Sequence, residues 1–507
     1  METVLASSDS IFDPPPGSLK ARVGRGAVHT ALSQVVLLTT QIASVVVLSR
    51  LLSPADFGLI AMCMPLVALV GMVQDFGLLQ ATIQRPGIRR DEVSFLFWIN
   101  MTASLTLAGL LFLSAPLVAA FYGDPRVGPL VAALSVIVVT SGAAAQHGAI
   151  LQRRMRFGRV AAISATGAVL AFATAAAWAS VWPDYWALYA GMVAGTLVPT
   201  ILTWISAGWL PGRPRKVAGW RSLLGFGAGV TGFNLSNFVT NNADNVLIGR
   251  VWGGTELGLY DRAFKLLLFP LNQVSNPLAR VMIPGLSRLV NEPHRYRSAY
   301  LRVQRLVLFV ALPGVAAAIA LADRLIPLAL GQEWQAAAPI FQALGFAGLL
   351  QMLNSPAGWL FISQGRARDY LLWGIAMAVI SVGAYVAGLP YGALGVAVAL
   401  SISQYVKTPL MWIWLCRRGP VALRDVVGSA GPLLLAGHVA TGAVWLARPW
   451  LPENAVGALL LGAALAYGLT AVMIAAFPTG RETLREGWAL LAGFVARRAP
   501  VIVPPQG

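Results

Sequence analysis

Polar and charged side chains recur at helical spacing within otherwise apolar sequence between residues 234 and 280. Asn234, Asn237, Asn241, Asp244 and Asn245 are separated by three, four, three and one positions, so a helix gathers them on one face. Gln34, Gln41 and Ser44 stand 200 residues earlier at the matching places. Beyond the first group come Arg250, then Arg262, Lys265, Asn272, Gln273, Asn276 and Arg280, again mostly on one face. Guanidinium and ammonium groups bind phosphate, and the arginine fork takes its oxygens in pairs. Amides bind sugar hydroxyls. The expected ligand is therefore polar and anionic, held in a hydrated cavity. A plainer account uses the same residues as interhelical hydrogen bonds, with Asp244 paired to Arg250 or Arg262. Asp244 could also take a proton or a sodium ion.

Other chemistries lack their residues. His29, His147, His294 and His438 are scattered without the paired spacing of a metal site. Cys63 and Cys416 both fall in apolar runs and read as small buried hydrophobes. There is no phosphate-binding Gly-Lys-Ser/Thr loop and no nucleophile elbow. The expectation is a chain without cofactor or catalytic group, and not an enzyme.

The elements that must carry these residues are membrane spans. The chain is 57% hydrophobic and 11% charged, against about 25% charged in soluble domains. Apolar runs of about 20 residues, the length that crosses a bilayer, recur along it. They predict fourteen helices at about 27–48, 57–80, 93–120, 127–150, 160–180, 185–209, 222–248, 258–283, 301–321, 335–363, 370–388, 393–416, 430–447 and 455–477. The fold class is all-α and polytopic. The run from Ala27 is too long for a cleaved signal and is expected to insert.

The net charge of +17 invites a nucleic-acid partner, but its placement answers to orientation instead. About 28 of the Lys and Arg residues fall on one side of the membrane and about seven on the other. The rule that basic loops stay inside puts both termini in the cytoplasm. Arg153, Arg154 and Arg156 are expected to face lipid headgroups, and Lys407 to snorkel to the cytoplasmic edge.

The sequence is built twice. Arg50, Asp56, Gly58 and Leu59 recur as Arg250, Glu256, Gly258 and Leu259. Pro86-Gly87 and Arg90 return as Pro284-Gly285 and Arg288, and Leu151-Gln152-Arg153-Arg154 returns faintly around Gln364-Gly365-Arg366. Six spans per copy is an even number, so both copies enter the membrane in the same sense, as parallel repeats. The expected division is a tail over 1–24, an N-lobe over 25–210, a basic hinge over 211–221, a C-lobe over 222–416, and two further spans with a tail over 417–507. Asp56 and Glu256 read as helix caps, with Gly58 and Gly258 allowing close packing.

Several ordered segments carry a resemblance. They are Leu48-Ser49-Arg50-Leu51-Leu52-Ser53-Pro54-Ala55-Asp56-Phe57-Gly58, Asp75-Phe76-Gly77-Leu78 and Leu151-Gln152-Arg153-Arg154-Met155-Arg156-Phe157. Then follow Asn242-Ala243-Asp244-Asn245-Val246-Leu247-Ile248-Gly249, Leu257-Gly258-Leu259-Tyr260-Asp261-Arg262-Ala263-Phe264, Leu268-Phe269-Pro270 and Ile283-Pro284-Gly285-Leu286-Ser287-Arg288. Together the chain resembles the Wzx-like flippases, the polysaccharide transporter branch of the multidrug/oligosaccharidyl-lipid/polysaccharide exporter superfamily. The resemblance implies two six-helix lobes in a V, as in the related drug exporters, working by alternating access. It implies a polyprenyl-diphosphate-linked oligosaccharide as substrate, with membrane lipids around it and a polysaccharide polymerase and chain-length regulator as partners. Arg262, Lys265, Arg250 and Arg280 are then the candidate diphosphate ligands. A cation-coupled drug antiporter would want carboxylates in the first six spans, which offer little beyond Asp75. A polysaccharide polymerase or ligase would want a large outer loop, and a passive scaffold would want neither.

Overall fold

The computed structural model describes residues 19–75, 88–214 and 228–495, with isolated positions between 79 and 85. Among these residues the chain is helical and has no strand. The long helices are α1 (Leu19–Leu51), α2 (Pro54–Asp75), α3 (Arg90–Tyr122), α4 (Val127–Arg153), α5 (Phe157–Val181) and α6 (Tyr185–Ala207). The run Ala228–Arg288 is two helices joined across a kink at Gly253, here α7 (228–252) and α8 (254–288). Then come α9 (Pro293–Ala320), α10 (Ala337–Asn354), α11 (Ala367–Gly388), α12 (Gly392–Cys416), α13 (Leu423–Ala447), α14 (Ala455–Ala475) and α15 (Pro478–Val495). Ten runs are long and apolar enough to cross a membrane, among the described residues. The chain is a multi-pass membrane protein.

Two compact units are present, Met1–Gly258 with Ala329–Glu333, and Leu259–Leu328 with Trp334–Gly507. The basic segment read as a hinge lies mostly outside the described residues. Its first part is tied to α3, where the Trp98 indole N–H donates to the Gly212 carbonyl at 2.8 Å and the Gly212 N–H donates to Ser94 Oγ at 3.0 Å.

Within the first unit α3 packs on α4, α4 on α6, and α5 on α6. The second unit repeats these pairings as α9 on α10, α10 on α12, and α11 on α12. Small residues permit the close crossings. A methyl group on Gly191 of α6 would stand 2.6 Å from the Ala171 carbonyl oxygen of α5, too near for any side chain. One buried polar seam also holds the first unit together. Gln74 Nε2 donates to Ser104 Oγ and to the Val138 carbonyl at 2.7 and 3.0 Å, and Asn100 Nδ2 donates to the Gly142 carbonyl at 2.9 Å. In lipid such groups must find partners inside the protein.

Three expectations change. No loop separates α7 from α8; a single residue makes the break. Gly253 has φ 82° and ψ −173°, a region open essentially to glycine alone. The C-terminal tail instead begins with α15, since Pro478 starts a new helix directly after α14. Arg153 and Arg154 do not spread toward headgroups. Arg154 Nη1 donates to the Ala207 carbonyl at 2.6 Å, and Arg153 Nη1 to the Arg85 carbonyl at 2.6 Å. The last carbonyls of a helix have no donors of their own, and a guanidinium supplies them.

Candidate functional site

The repeated motif makes a junction within the first unit. Ser53 and Asp56 form a reciprocal cap at the start of α2. Ser53 donates its N–H and Oγ–H to Asp56 Oδ2 at 3.0 and 2.6 Å, and the Asp56 N–H donates back to Ser53 Oγ at 3.4 Å. That fixes where α2 begins and so where Gly58 sits. A methyl group on Gly58 would lie 1.7 Å from the Gly254 carbonyl oxygen, and one on Gly258 would lie 1.8 Å from the Pro54 carbonyl oxygen. The two copies of the motif thus lean on each other, backbone to backbone, beside the Gly253 break.

From this junction α8 carries the cationic stripe. Asp261 is buried and Lys265 exposed, and they pair at 2.8 Å one turn apart, with the acid on the N-terminal side as the helix dipole favours. Lys265, Asn272, Asn276 and Arg280 are all exposed, while Leu267, Leu271 and Ser275 on the other side are buried. At 1.5 Å per residue the stripe runs about 22 Å, most of the hydrocarbon thickness. Pro270, Pro277 and Pro284 lie inside the helix without breaking it, but they have no N–H, so the carbonyls four residues before them lose their usual donors. Arg262 is half-buried, set deeper than its neighbours on the stripe.

Other candidates belong to the first unit. Gln34, Gln41, Asn241 and Arg250 are exposed there. Arg250 holds its guanidinium 5.7 Å above the Phe121 ring, a cation–π arrangement. Asp244 and Asn245 leave the stripe. Asp244 is only 1% exposed, its Oδ1 accepting the Asn245 N–H at 2.9 Å, and Asn245 is half-buried. The side chains of Asn234 and Asn237 lie outside the described residues. At the α3–α4 turn Arg126 forks onto Asp124 at 3.1 and 2.8 Å and holds that carboxyl below the usual carboxylate range.

Two features went unread in the sequence and a third was misread. Asp261 partly neutralises Lys265, and the i, i+4 spacing was the available signal. The Gln74 seam is neutral and fell outside a search for charge. Lys407 does not snorkel. It is 6% exposed in α12, and its Nζ donates to Ser381 Oγ of α11 at 2.8 Å.

The repeat shows again in the turns after α4 and after the short helix Ala357–Ser363. Met155, with φ 55°, and Gly365, with φ 68°, both take the left-handed conformation. The Arg156 and Arg366 N–H groups donate to the Leu151 and Phe361 carbonyls at 3.0 and 2.9 Å. Both guanidinium groups then reach the end of the second helix onward, Arg156 to the Ser206 carbonyl and Arg366 to that of Leu415, at 3.5 and 3.0 Å.

A family model described as polysaccharide biosynthesis protein matches residues 47–339. The lipopolysaccharide biosynthesis protein WzxC of Escherichia coli (strain K12) is 24% identical over 82% of this chain and 83% of its own length. The succinoglycan biosynthesis transport protein ExoT of Rhizobium meliloti (strain 1021) is 24% identical over 94% and 97%. Among solved structures, the lipid II flippase MurJ in an inward closed conformation is similar with a TM-score of 0.71 at 12% identity, over 88% of this chain and 97% of that one.

Proposed function

The chain belongs to the polysaccharide biosynthesis protein family, and from that premise we propose that it is a flippase for a polyprenyl-diphosphate-linked oligosaccharide. It carries this substrate from the cytoplasmic to the periplasmic leaflet of the inner membrane by alternating access, for lipopolysaccharide or exopolysaccharide synthesis. It works beside a polysaccharide polymerase and a chain-length regulator. One observation carries the reading. A helix inside the family-matched segment exposes Lys265, Asn272, Asn276 and Arg280 along one line. A charge at the bilayer centre costs about 2.5–3.5 kcal/mol on insertion scales, so such a line belongs against water or substrate. The cations match a diphosphate, and the amides match sugar hydroxyls. The lipid tail needs no protein site, because it stays in the bilayer. WzxC and ExoT are named for polysaccharide biosynthesis, and the latter for transport.

Arg262 and Arg280 are the arginines α8 offers to the diphosphate. In cells whose only copy is the variant, Arg280→Ala and Arg262→Ala should each abolish surface polymer while the protein accumulates in the membrane. Each Lys replacement should restore part of the export, since charge returns without the fork. Normal export from the double alanine variant at matched protein level would overturn the assignment.

A further inference from the structure

α15 divides its charges between two faces. Glu482, exposed, and Glu486, half-buried, stand one turn apart and pair with Arg305 and Arg302 of α9 at 2.9 Å each. Thr483 is fully buried and Gly487 rests against the Phe309 ring. The opposite face holds Arg481, Arg485 and Trp488 at i, i+4 and i+7, all exposed, with Trp488 at 74%. Arg481 Nε also donates to the Ala475 carbonyl at the end of α14, at 2.8 Å. Arg485 has no protein partner among the described residues.

We propose that the Arg481–Arg485–Trp488 face of α15 docks on the anionic headgroups of phospholipids in the leaflet where α14 ends. Three observations carry this. The helix starts two residues after a membrane span closes, which sets it at the level of the headgroups. Both of its acids are paired with arginines of α9, so the Arg481–Arg485–Trp488 face itself carries two cations and no acid and complements anionic lipid. The basic pair is joined on that face by a tryptophan, whose amphipathic ring prefers the membrane–water boundary. The two ion pairs latch α15 to α9, so lipid held by α15 is fastened to the core of the second unit. On the proposed topology this leaflet is the cytoplasmic one, whose anionic lipids attract basic residues by about fivefold in affinity for each.

The test uses the full-length protein purified in mild detergent, with phosphatidylglycerol as probe and phosphatidylcholine as its zwitterionic control. Native mass spectrometry should show phosphatidylglycerol retained in preference to phosphatidylcholine. Arg485→Gln should weaken that preference about fivefold, and Arg481→Gln with Arg485→Gln should remove most of it. Arg485→Gln is the decisive variant, because that side chain supports nothing else in the protein. A spin label on Trp488→Cys should, in phosphatidylglycerol vesicles, be more accessible to oxygen than to a water-soluble nickel complex. Equal lipid retention by wild type and both variants, or a label freely reached by nickel in the phosphatidylglycerol vesicles, would overturn the proposal.

Discussion

Lys407 places an ammonium group deep in α12 with one hydroxyl for a partner. It makes no ion pair among the described residues. Burying a charge is expensive, and replacing it with an apolar side chain of similar length is commonly neutral or stabilising. Lys407→Met should therefore hold or raise the thermal midpoint in nanodiscs, while Lys407→Ala, which also opens a cavity, should lower it. An equal fall in both variants would show that the bond to Ser381 outweighs the burial. Sequence alone placed this residue wrongly for a definite reason. Position along a span says how far a lysine must reach to leave the membrane, but which way its helix face points is settled by the packing of α10 and α11 around α12. Asp244 teaches the same lesson. Its spacing put it on the stripe with Asn241, yet it is buried within the first unit.

At the scale of elements, the junction of α2 with the Gly253 break joins the two sequence repeats through glycine. Overpacking a tight contact costs about 1–3 kcal/mol, and here the obstruction is backbone that cannot rotate away. Gly58→Ala and Gly258→Ala should each lower the thermal midpoint and the export per molecule. The double variant should fall short of the sum, since both act on one contact. Asp56→Asn should behave differently. Asparagine still accepts at a cap, so the yield should drop modestly and export per molecule should stay near wild type. Full yield with lost export in Asp56→Asn would make this motif a gate and not a cap. The motif, its glycines and its cap were legible in the sequence, because each needs a residue type that few others replace. That the two copies touch one another was not, because the contact joins positions 200 apart.

For the whole molecule, the arginine distribution and the even number of helices in each repeat predict one topology. Reporter fusions after Arg156, Pro214, Gly365 and Arg418 should read cytoplasmic, and fusions after Asp124, Pro183 and Pro390 periplasmic. A single inversion among them would break the parallel arrangement of the repeats. The sequence by itself determined the all-helical class, the approximate bounds of most helices, the repeated motif and the polar spacing of α8. Each of these rests on a local quantity: the length of an apolar run, a repeated motif, a helical period. Tertiary structure alone decided which polar groups face outward and which are consumed inside. Asp261 takes part of the charge of Lys265, Arg154 and Arg366 are spent on the carbonyl ends of neighbouring helices, and Glu482 and Glu486 are held by α9. A hydrogen bond or ion pair needs a second partner, and in a helical membrane bundle that partner usually comes from a helix distant in sequence, brought near only by packing.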